Sequence, residues 1–551
     1  MAGRPEGGAK EREVGADGKE RNATANGSLS LGTPASPGYA EGPLFRLDRP
    51  QATYSPKGSA DAEKAALDQA MAAATDGLTE LAAQMSGEAA DMLEFQIAML
   101  SDDALAAPAL EAIAAGEPAD MAWRMALDAE IAGYEASEDD YFRARAADLA
   151  DIRDRVLRAL SGEGEQAAPA GAILVGEDIT PTRFLQTDWS AGGGIALAAG
   201  SAASHVAMLA RGRGVPMAVG FGESLAGAGG FGLLDAEHGR LIVDADPVAA
   251  AAFHEAAAGF RRGREVARTY LAQPAATRDG TSIRVQVNIA DPSDVETVDI
   301  GHCDGVGLMR TEFLFGKVLP DEGTQLAAYR KVLEWAGGKP VTIRTVDAGG
   351  DKPVPGFTVE ETNPFLGLRG IRLSLARPEI FRVQIRALLR AAVHGNLKVM
   401  VPMVAVPGEY AAAAALFSDE AAMLAKAGVP HKMPPLGIMV EVPSVAVAPE
   451  LFSDAAFFSI GSNDLTQYVL AAARDNGRVA ALHDVGHPAV LRLIGNVAAF
   501  AREQKIPVSL CGDAGGDPAA IPALLAAGLR DLSAVPAQLA AAKAAIAAVE
   551  L

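Results

Sequence analysis

The sequence predicts an α/β multidomain chain that ends in a (β/α)8 barrel, preceded by a smaller α/β domain with a helical block set into it or beside it. Three observations carry this. From Thr281 to the end, eight short apolar runs alternate with helix-patterned segments. From about Ser59 to Leu160, Ala, Leu, Met and Glu recur at helical spacing with almost no β-branched runs. On either side of that block, strand and helix signals mix.

The elements follow in order. Residues 1–30 are Gly-rich and charged with no apolar segment behind the basic residues, so they read as a disordered tail, neither signal peptide nor anchor. Residues 31–58 and 165–250 make up the small α/β domain. Its strand signals are the end of GTPASPGYAEGPLFRL, then Gly171–Asp178, Gly194–Ala199, Met217–Val219 and Gly239–Asp244. Residues 59–164 form the helical subdomain, in which Leu93, Ile97 and Leu100 share one face and Leu149, Ile152 and Val156 another. Residues 251–280 read as a connecting helix ending in the break AQPAATRDG. The barrel, residues 281–551, has expected strands at Ile283–Ile289, Gly305–Leu308, Val341–Arg344, Leu397–Val401, Gly437–Glu441, Phe457–Gly461, Val508–Cys511 and Asp531–Ala534. Continuous apolar runs of this kind suit a parallel sheet buried on both faces.

Bulk properties narrow the function. A formal net charge of −22 over 551 residues argues against a nucleic-acid binder, since phosphate backbones demand basic surface. It allows a basic protein partner, or a small anion held by clustered arginines. Only Cys303 and Cys511 are present, so no disulfide framework exists and a reducing compartment is expected. No run of 18 apolar residues occurs, so the chain reads as soluble and cytoplasmic.

Within GGIALAAGSAASHVAMLAR, Gly193–Arg211, an apolar strand meets a small-residue turn and then a helix whose first turn contains His205. A helix N-terminus favours an anion, including one attached to the imidazole, although a histidine that merely fits beside the turn is an equal reading of this stretch alone. In the barrel, polar residues collect at the C-terminal ends of strands, where barrels place their chemistry: Arg310, Arg344, Glu441, Asn463 with Asp464, and Cys511. Arg369 and Arg372 lie in ETNPFLGLRGIR and Arg474 in LAAARDN. Converging guanidinium forks in an acidic protein indicate a small, highly anionic substrate, and Arg372 is the one best explained as a plain salt bridge. Glu441 and Asp464 suit Mg²⁺, or hydrogen bonds to neighbouring loops. Cys511 is either a buried structural thiol or a general acid or base.

Eight segments in order resemble the Enzyme I family of the bacterial phosphotransferase system, the phosphoenolpyruvate–protein phosphotransferases. They are GTPASPGYAEG, ASHVAMLARGRGVPMAVG, GVGLMRTEFLF, IRTVDAGGDK, NPFLGLRGIRL, GIMVEVPS, FFSIGSNDLTQY and LCGDAGGD. The resemblance implies a swivelling phosphohistidine domain with His205 as the phosphorylated nucleophile. It implies phosphoenolpyruvate held by Arg310, Arg344, Asn463, Asp464 and Arg474, with Arg369 in the same set. It implies Mg²⁺ on Glu441 and Asp464, and Cys511 as the proton donor that turns the enolate into pyruvate. The helical block would dock HPr or an HPr-like carrier, residues 247–271 would serve as the hinge, and the barrel would carry a homodimer contact. The sequence departs from the family at Ala203, usually a hydroxylated residue, at Asp513, more often Glu, and at Gly200-Ser201-Ala202 ahead of the histidine. Two other readings stand beside this one. A regulatory sensor of phosphoenolpyruvate that binds HPr-like proteins is favoured only by Ala203. A pyruvate phosphate dikinase or phosphoenolpyruvate synthase relative would need a large ATP-binding domain ahead of Gly32.

Overall fold

The computed structural model describes residues 28–47, 54–83, 88–135, 140–162, 167–200, 204–315, 318–350, 354–359, 361–473, 479 and 482–551. Most of the expected tail, residues 201–203 and Arg474 lie outside the described residues. The chain divides into two compact units, residues 1–49 with 167–258, and residues 50–166 with 259–551.

The first unit is built on one eight-stranded sheet. Its strands are β1 (Ser28–Leu31), β2 (Thr33–Ser36), β3 (Tyr39–Arg46), β4 (Ile173–Gly176), β5 (Gly194–Leu197), β6 (Met217–Val219), β7 (Phe231–Asp235) and β8 (Arg240–Val243). They run in the order β1-β8-β7-β3-β4-β5-β6-β2. β1 and β2 lie at opposite ends of that order but are joined by Gly32 alone, so the sheet must curl until its two edges meet. Gly32 is fixed by the same closure. Its N–H donates to the Gly239 carbonyl at 2.8 Å, and a Cβ there would lie 2.6 Å from the Val219 carbonyl oxygen. β1 starts inside the stretch expected to be tail, and neither it nor β7 had a marked signal. Short strands owe their order to the partners they find, and these find β8 and β3.

Five helices, α1 (Ala60–Ala82), α2 (Glu88–Leu100), α3 (Asp103–Ala114), α4 (Ala119–Glu135) and α5 (Asp140–Ser161), lie between β3 and β4 in the chain. The expected faces are inside, with Leu93, Leu149, Ile152 and Val156 all buried, while Ile97 is only partly covered. Glu63 on α1 ties this block together, accepting from the Tyr54 hydroxyl, from the Lys57 N–H and, at 2.9 Å, from the Ala119 N–H that opens α4. Burial raises its pKa, but these donors outweigh that and hold it below the usual glutamate value. A depressed carboxyl stabilises the fold above its unfolded value, about 4.3, and that contribution fades as pH falls through the folded one. Replacing Glu63 by Ala leaves three donors unanswered, and amide exchange at Ala119 is expected to speed up roughly 10–100-fold. Exchange within twofold of the parent would show that the bond does not hold α4.

Helices α6 (Pro181–Gln186) and α7 (His205–Arg213) follow β4 and β5, and α8 (Pro247–Thr269) crosses the division between the units. The first half of α8 packs Phe253 and Ala257 on Leu233, with Tyr39 edge-on to Phe253 at 5.5 Å. Residues 261–266 are exposed.

The second unit contains a closed parallel barrel of β9 (Arg284–Ile289), β10 (Val306–Met309), β11 (Pro340–Arg344), β12 (Asn396–Val401), β13 (Leu436–Val440), β14 (Phe458–Ile460), β15 (Val508–Leu510) and β16 (Asp531–Ala534). Every expected barrel strand is present with ends displaced by no more than one residue. Closure comes from β16 against β9, with Asp531 opposite Arg284 and Ala534 opposite Val287. The outer ring comprises α9 (Glu322–Trp335), α10 (Ile371–Ala376), α11 (Pro378–Ala391), α12 (Pro407–Lys426), α13 (Pro443–Val447), α14 (Ser462–Leu470), α15 (Pro488–Gln504), α16 (Ile521–Ala526) and α17 (Leu539–Ala548). β-Branched residues such as Val285, Val287, Ile343, Val399, Val401, Ile438 and Val440 fill the core, as continuous buried strands require.

Candidate active site

The polar strand ends converge on the C-terminal mouth of the barrel. Arg310 follows β10, Arg344 closes β11, Glu441 follows β13, Asn463 and Asp464 open α14 just after β14, and Cys511 follows β15. Arg310 is exposed, and the others are buried or, for Asn463, half-buried. Arg474 lies outside the described residues.

Arg344 is 4% exposed. Its Nη2 donates to Glu312 Oε2 at 3.0 Å, and its Nη1 pairs with Asp347 Oδ2 at 3.2 Å, while its buried Nε has no partner. Asp347, with no exposed surface, also takes Arg369 Nε at 3.1 Å on Oδ1 and Nη2 at 3.0 Å on Oδ2. Arg369 then reaches Asp464 with Nη1 to Oδ1 at 3.0 Å and Nη2 to Oδ2 at 3.1 Å. Arg372 makes the plain salt bridge expected of it, Nε to Glu409 at 3.2 Å.

Four carboxylates, Glu312, Asp347, Glu441 and Asp464, therefore meet two buried guanidiniums. The excess negative charge shows on Glu441, whose carboxyl is pushed well above the usual range by burial, with Asp464 and Asp347 adding to the shift. One of its oxygens takes the Met403 N–H at 2.6 Å, which Met403 presents from a left-handed backbone at φ 57°. Such a conformation costs a non-glycine residue about 1–3 kcal/mol and is characteristic of functional sites. Hard oxygen donors with surplus negative charge fit a divalent cation of the Mg²⁺ type, which needs only one or two protein carboxylates beside substrate and water. Among the described residues no group of three His, Cys, Asp or Glu side chains is arranged as a complete metal cage.

Cys511 sits among Leu308, Met400, Met439 and Phe457. Burial pushes its thiol up to about 11, so it is protonated at neutral pH. Asn463 is held by Asp513, its Nδ2 donating to Asp513 Oδ2 at 3.0 Å and its Oδ1 accepting the Asp513 N–H at 3.1 Å.

In the first unit, α7 begins at His205. The Ser204 Oγ caps it by accepting the Ala207 N–H at 3.2 Å, and Gly214 ends it in a left-handed conformation. The expected strand and helix are present as β5 and α7, and residues 201–203 between them lie outside the described residues.

Sequence reasoning missed Glu312 and Asp347, which hold the arginines, and Gln384, which has no exposure and braces the mouth from behind. Gln384 Nε2 donates to Thr311 Oγ1 at 3.3 Å and to the Tyr329 hydroxyl at 3.1 Å, and its Oε1 accepts the Val346 N–H at 3.0 Å. A signal existed for the first two, since each acid lies two or three residues beyond a strand-end arginine. Gln384 had none.

Three descriptions of phosphoenolpyruvate-utilising enzymes match the chain in order. The N-terminal domain covers residues 31–145, the mobile domain 168–247 and the phosphoenolpyruvate-binding domain 264–551. The phosphoenolpyruvate-protein phosphotransferase of Geobacillus stearothermophilus is 37% identical over 522 residues, covering 91% of this chain and 90% of its own. That of Bacillus subtilis (strain 168) is 36% identical over 521 residues, covering 91% of each.

Proposed function

The chain belongs to the phosphoenolpyruvate-protein phosphotransferase family, and on that premise we propose that it moves the phosphoryl group of phosphoenolpyruvate to its own His205 and then to a histidine of HPr or an HPr-like carrier, releasing pyruvate. The observation that supports this most is Arg344, buried at a strand end with an unanswered Nε–H. A buried donor left open is costly unless a ligand takes it, and the family match supplies an anion to do so.

In this reading Arg310, Arg344, Asn463, Asp464 and Arg474 hold the substrate, and the guanidiniums neutralise its phosphoryl oxygens. The ring nitrogen of His205 attacks phosphorus in line. An N–P bond forms while the P–O bond to the enol oxygen breaks, and the electron pair leaves with the enolate of pyruvate. The Cys511 thiol, kept protonated by burial, gives its proton to the enolate carbon. Glu441 and Asp464 are the residues that would hold Mg²⁺, which when bound would add charge neutralisation at the substrate oxygens. The start of α7 stabilises an anion, which favours the phosphorylated ring.

His205 and the barrel mouth belong to different compact units, and we assign the hinge between them to residues 251–280, within and just after α8. The strongly acidic helical subdomain, residues 59–164, is assigned to carrier docking, and a homodimer through the barrel is proposed on the same family premise. Among the described residues no helix is long and apolar enough to cross a membrane, and a cytoplasmic location is part of the proposal.

Incubation with ³²P-phosphoenolpyruvate and Mg²⁺ is expected to place one acid-labile phosphoryl group on the chain, and an unlabelled chain would end this reading. Docking of a basic carrier on an acidic surface also predicts salt sensitivity. Raising salt from low ionic strength past the physiological range should increase the carrier KM severalfold while leaving that for phosphoenolpyruvate less affected. A flat carrier KM would remove the charge-assisted docking.

A further inference from the structure

Arg344 and Arg369 look alike in the sequence, each a strand-end or loop arginine in a motif facing the barrel mouth. Their donor accounts differ. A guanidinium has five N–H donors. Arg344 keeps its buried Nε–H open. Arg369 has none to spare. Its Nε and one Nη2 hydrogen go to Asp347, one hydrogen from each Nη goes to Asp464, and the last, on Nη1, goes to the Tyr468 hydroxyl at 3.3 Å. Tyr468 in turn donates to the Phe365 carbonyl at 2.6 Å, so its oxygen is free to accept. Arg369 has no exposed surface, and the Phe365 ring centroid lies 5.7 Å from its Cζ.

The surrounding backbone is shaped to seat this side chain. Gly349 and Gly350, two and three residues after Asp347, both have positive φ. A Cβ at Gly349 would lie 2.7 Å from the Leu368 carbonyl oxygen and 3.1 Å from Arg369 Cβ, and one at Gly350 would lie 3.3 Å from Arg369 Cδ. For Arg369 to reach a substrate it would have to give up charge-assisted bonds to a carboxylate, among the strongest hydrogen bonds a protein makes.

We propose that Arg369 is a positioning residue and not a substrate contact: a planar strut that fixes both oxygens of Asp464 on one edge and, through Asp347 on the other, aims Arg344. This replaces the direct substrate role expected for Arg369 from the sequence. The geometry explains why an arginine is required. Two edges of one rigid plane meet two carboxylates in pairs, which a lysine point charge cannot do. Asp464 keeps its remaining lone pairs for the site, each oxygen having spent one on Arg369. Asp347 Oδ2 receives both Arg369 Nη2 at 3.0 Å and Arg344 Nη1 at 3.2 Å, so Arg369 steers one edge of Arg344 while Glu312 holds the other.

The inference rests on the phosphoenolpyruvate reading, and its test separates the two. In the full chain carrying His205→Ala, which cannot consume the substrate, phosphoenolpyruvate is titrated calorimetrically with and without Mg²⁺. No binding in that parent would sink the functional reading itself. With binding established, Arg369→Lys is added. Glu312 still holds Nη2 of Arg344 at 3.0 Å in the variant, so the strut predicts metal-free affinity within about threefold of the parent and loss of the gain that Mg²⁺ brings through Asp464. With His205 restored, kcat should fall about 100-fold or more, while the KM for phosphoenolpyruvate rises by no more than the Mg²⁺ gain lost in the titration, a split expected when geometry in the transition state is what the strut supplies. Metal-free affinity weakened tenfold or more would make Arg369 a direct ligand and overturn the proposal.

Should Arg369→Lys fail to fold, a second measurement needs no change at that position. In the His205→Ala chain with ¹⁵N-labelled arginine, the Arg369 side-chain N–H groups should be slow to exchange with solvent before phosphoenolpyruvate is added and unchanged after it. The Arg344 Nε–H should become protected only on addition. Protection of Arg369 that appears with the substrate would overturn the strut.

Discussion

Replacing His205 by alanine is expected to abolish both half-reactions, with no label taken from phosphoenolpyruvate and none exchanged with phosphorylated carrier. Loss of a nucleophile of this kind typically costs on the order of 10⁶ in rate, so activity should fall to background. His205 is the first residue of α7, Ser204 is its N-cap, and Gly214 ends it. The substitution leaves both caps, Ser204 and Gly214, in place, so the thermal transition of the chain should stay within about a degree or two of the parent. The N-terminus of a helix favours an anion at this place. Labelling that survives His205→Ala would move the phosphoryl carrier elsewhere in the chain. Loss of label together with a collapsed melting transition would show only that the unit had unfolded, so the two measurements are made on the same preparation.

The barrel was legible because its strands are buried on both faces. Segments such as VMV in β12 and IMV in β13 have nothing polar to interrupt them, and a parallel sheet leaves that trace in any register. His205 was legible for a different reason, since a histidine just after small residues and just before an apolar helical run marks a helix start wherever it falls. The part that stayed hidden is a matter of partners. Asp347 and Glu312 lie inside motifs already singled out, but nothing in their spacing says that one carboxylate serves two arginines or that Arg369 has no donor left. Periodicity reports which face a residue occupies, and it does not report which lone pair it uses. The strand order of the first unit was hidden in the same way. That β1 pairs with β8, while β2 one residue later pairs with β6, is a property of the closed sheet and of Gly32 at its seam, not of either four-residue strand.

Replacing Cys511 by alanine is expected to divide the reaction, because the role proposed for the thiol serves only one half of it. Turnover with phosphoenolpyruvate requires a proton on the enolate carbon, and loss of a general acid costs about 10²–10⁴-fold. Exchange of phosphate between His205 and phosphorylated carrier forms no enolate, and its rate should stay within about threefold of the parent. The environment keeps the sulfur protonated, as a proton donor needs and as a packing thiol would also be, so the two half-reactions decide between the roles. Leu308, Met400, Met439 and Phe457 exclude water around the sulfur, and burial pushes the thiol up to about 11. A group with its pKa raised that far keeps its proton across neutral and mildly alkaline pH, so no loss of turnover below about pH 10 should trace to this thiol. A cysteine kept only for packing would behave otherwise. Alanine there would leave a small void in a layer shared by several strands, and both half-reactions would decline together with stability. Equal loss in the two assays therefore counts against proton donation, whereas loss confined to phosphoenolpyruvate turnover ties Cys511 to the enolate.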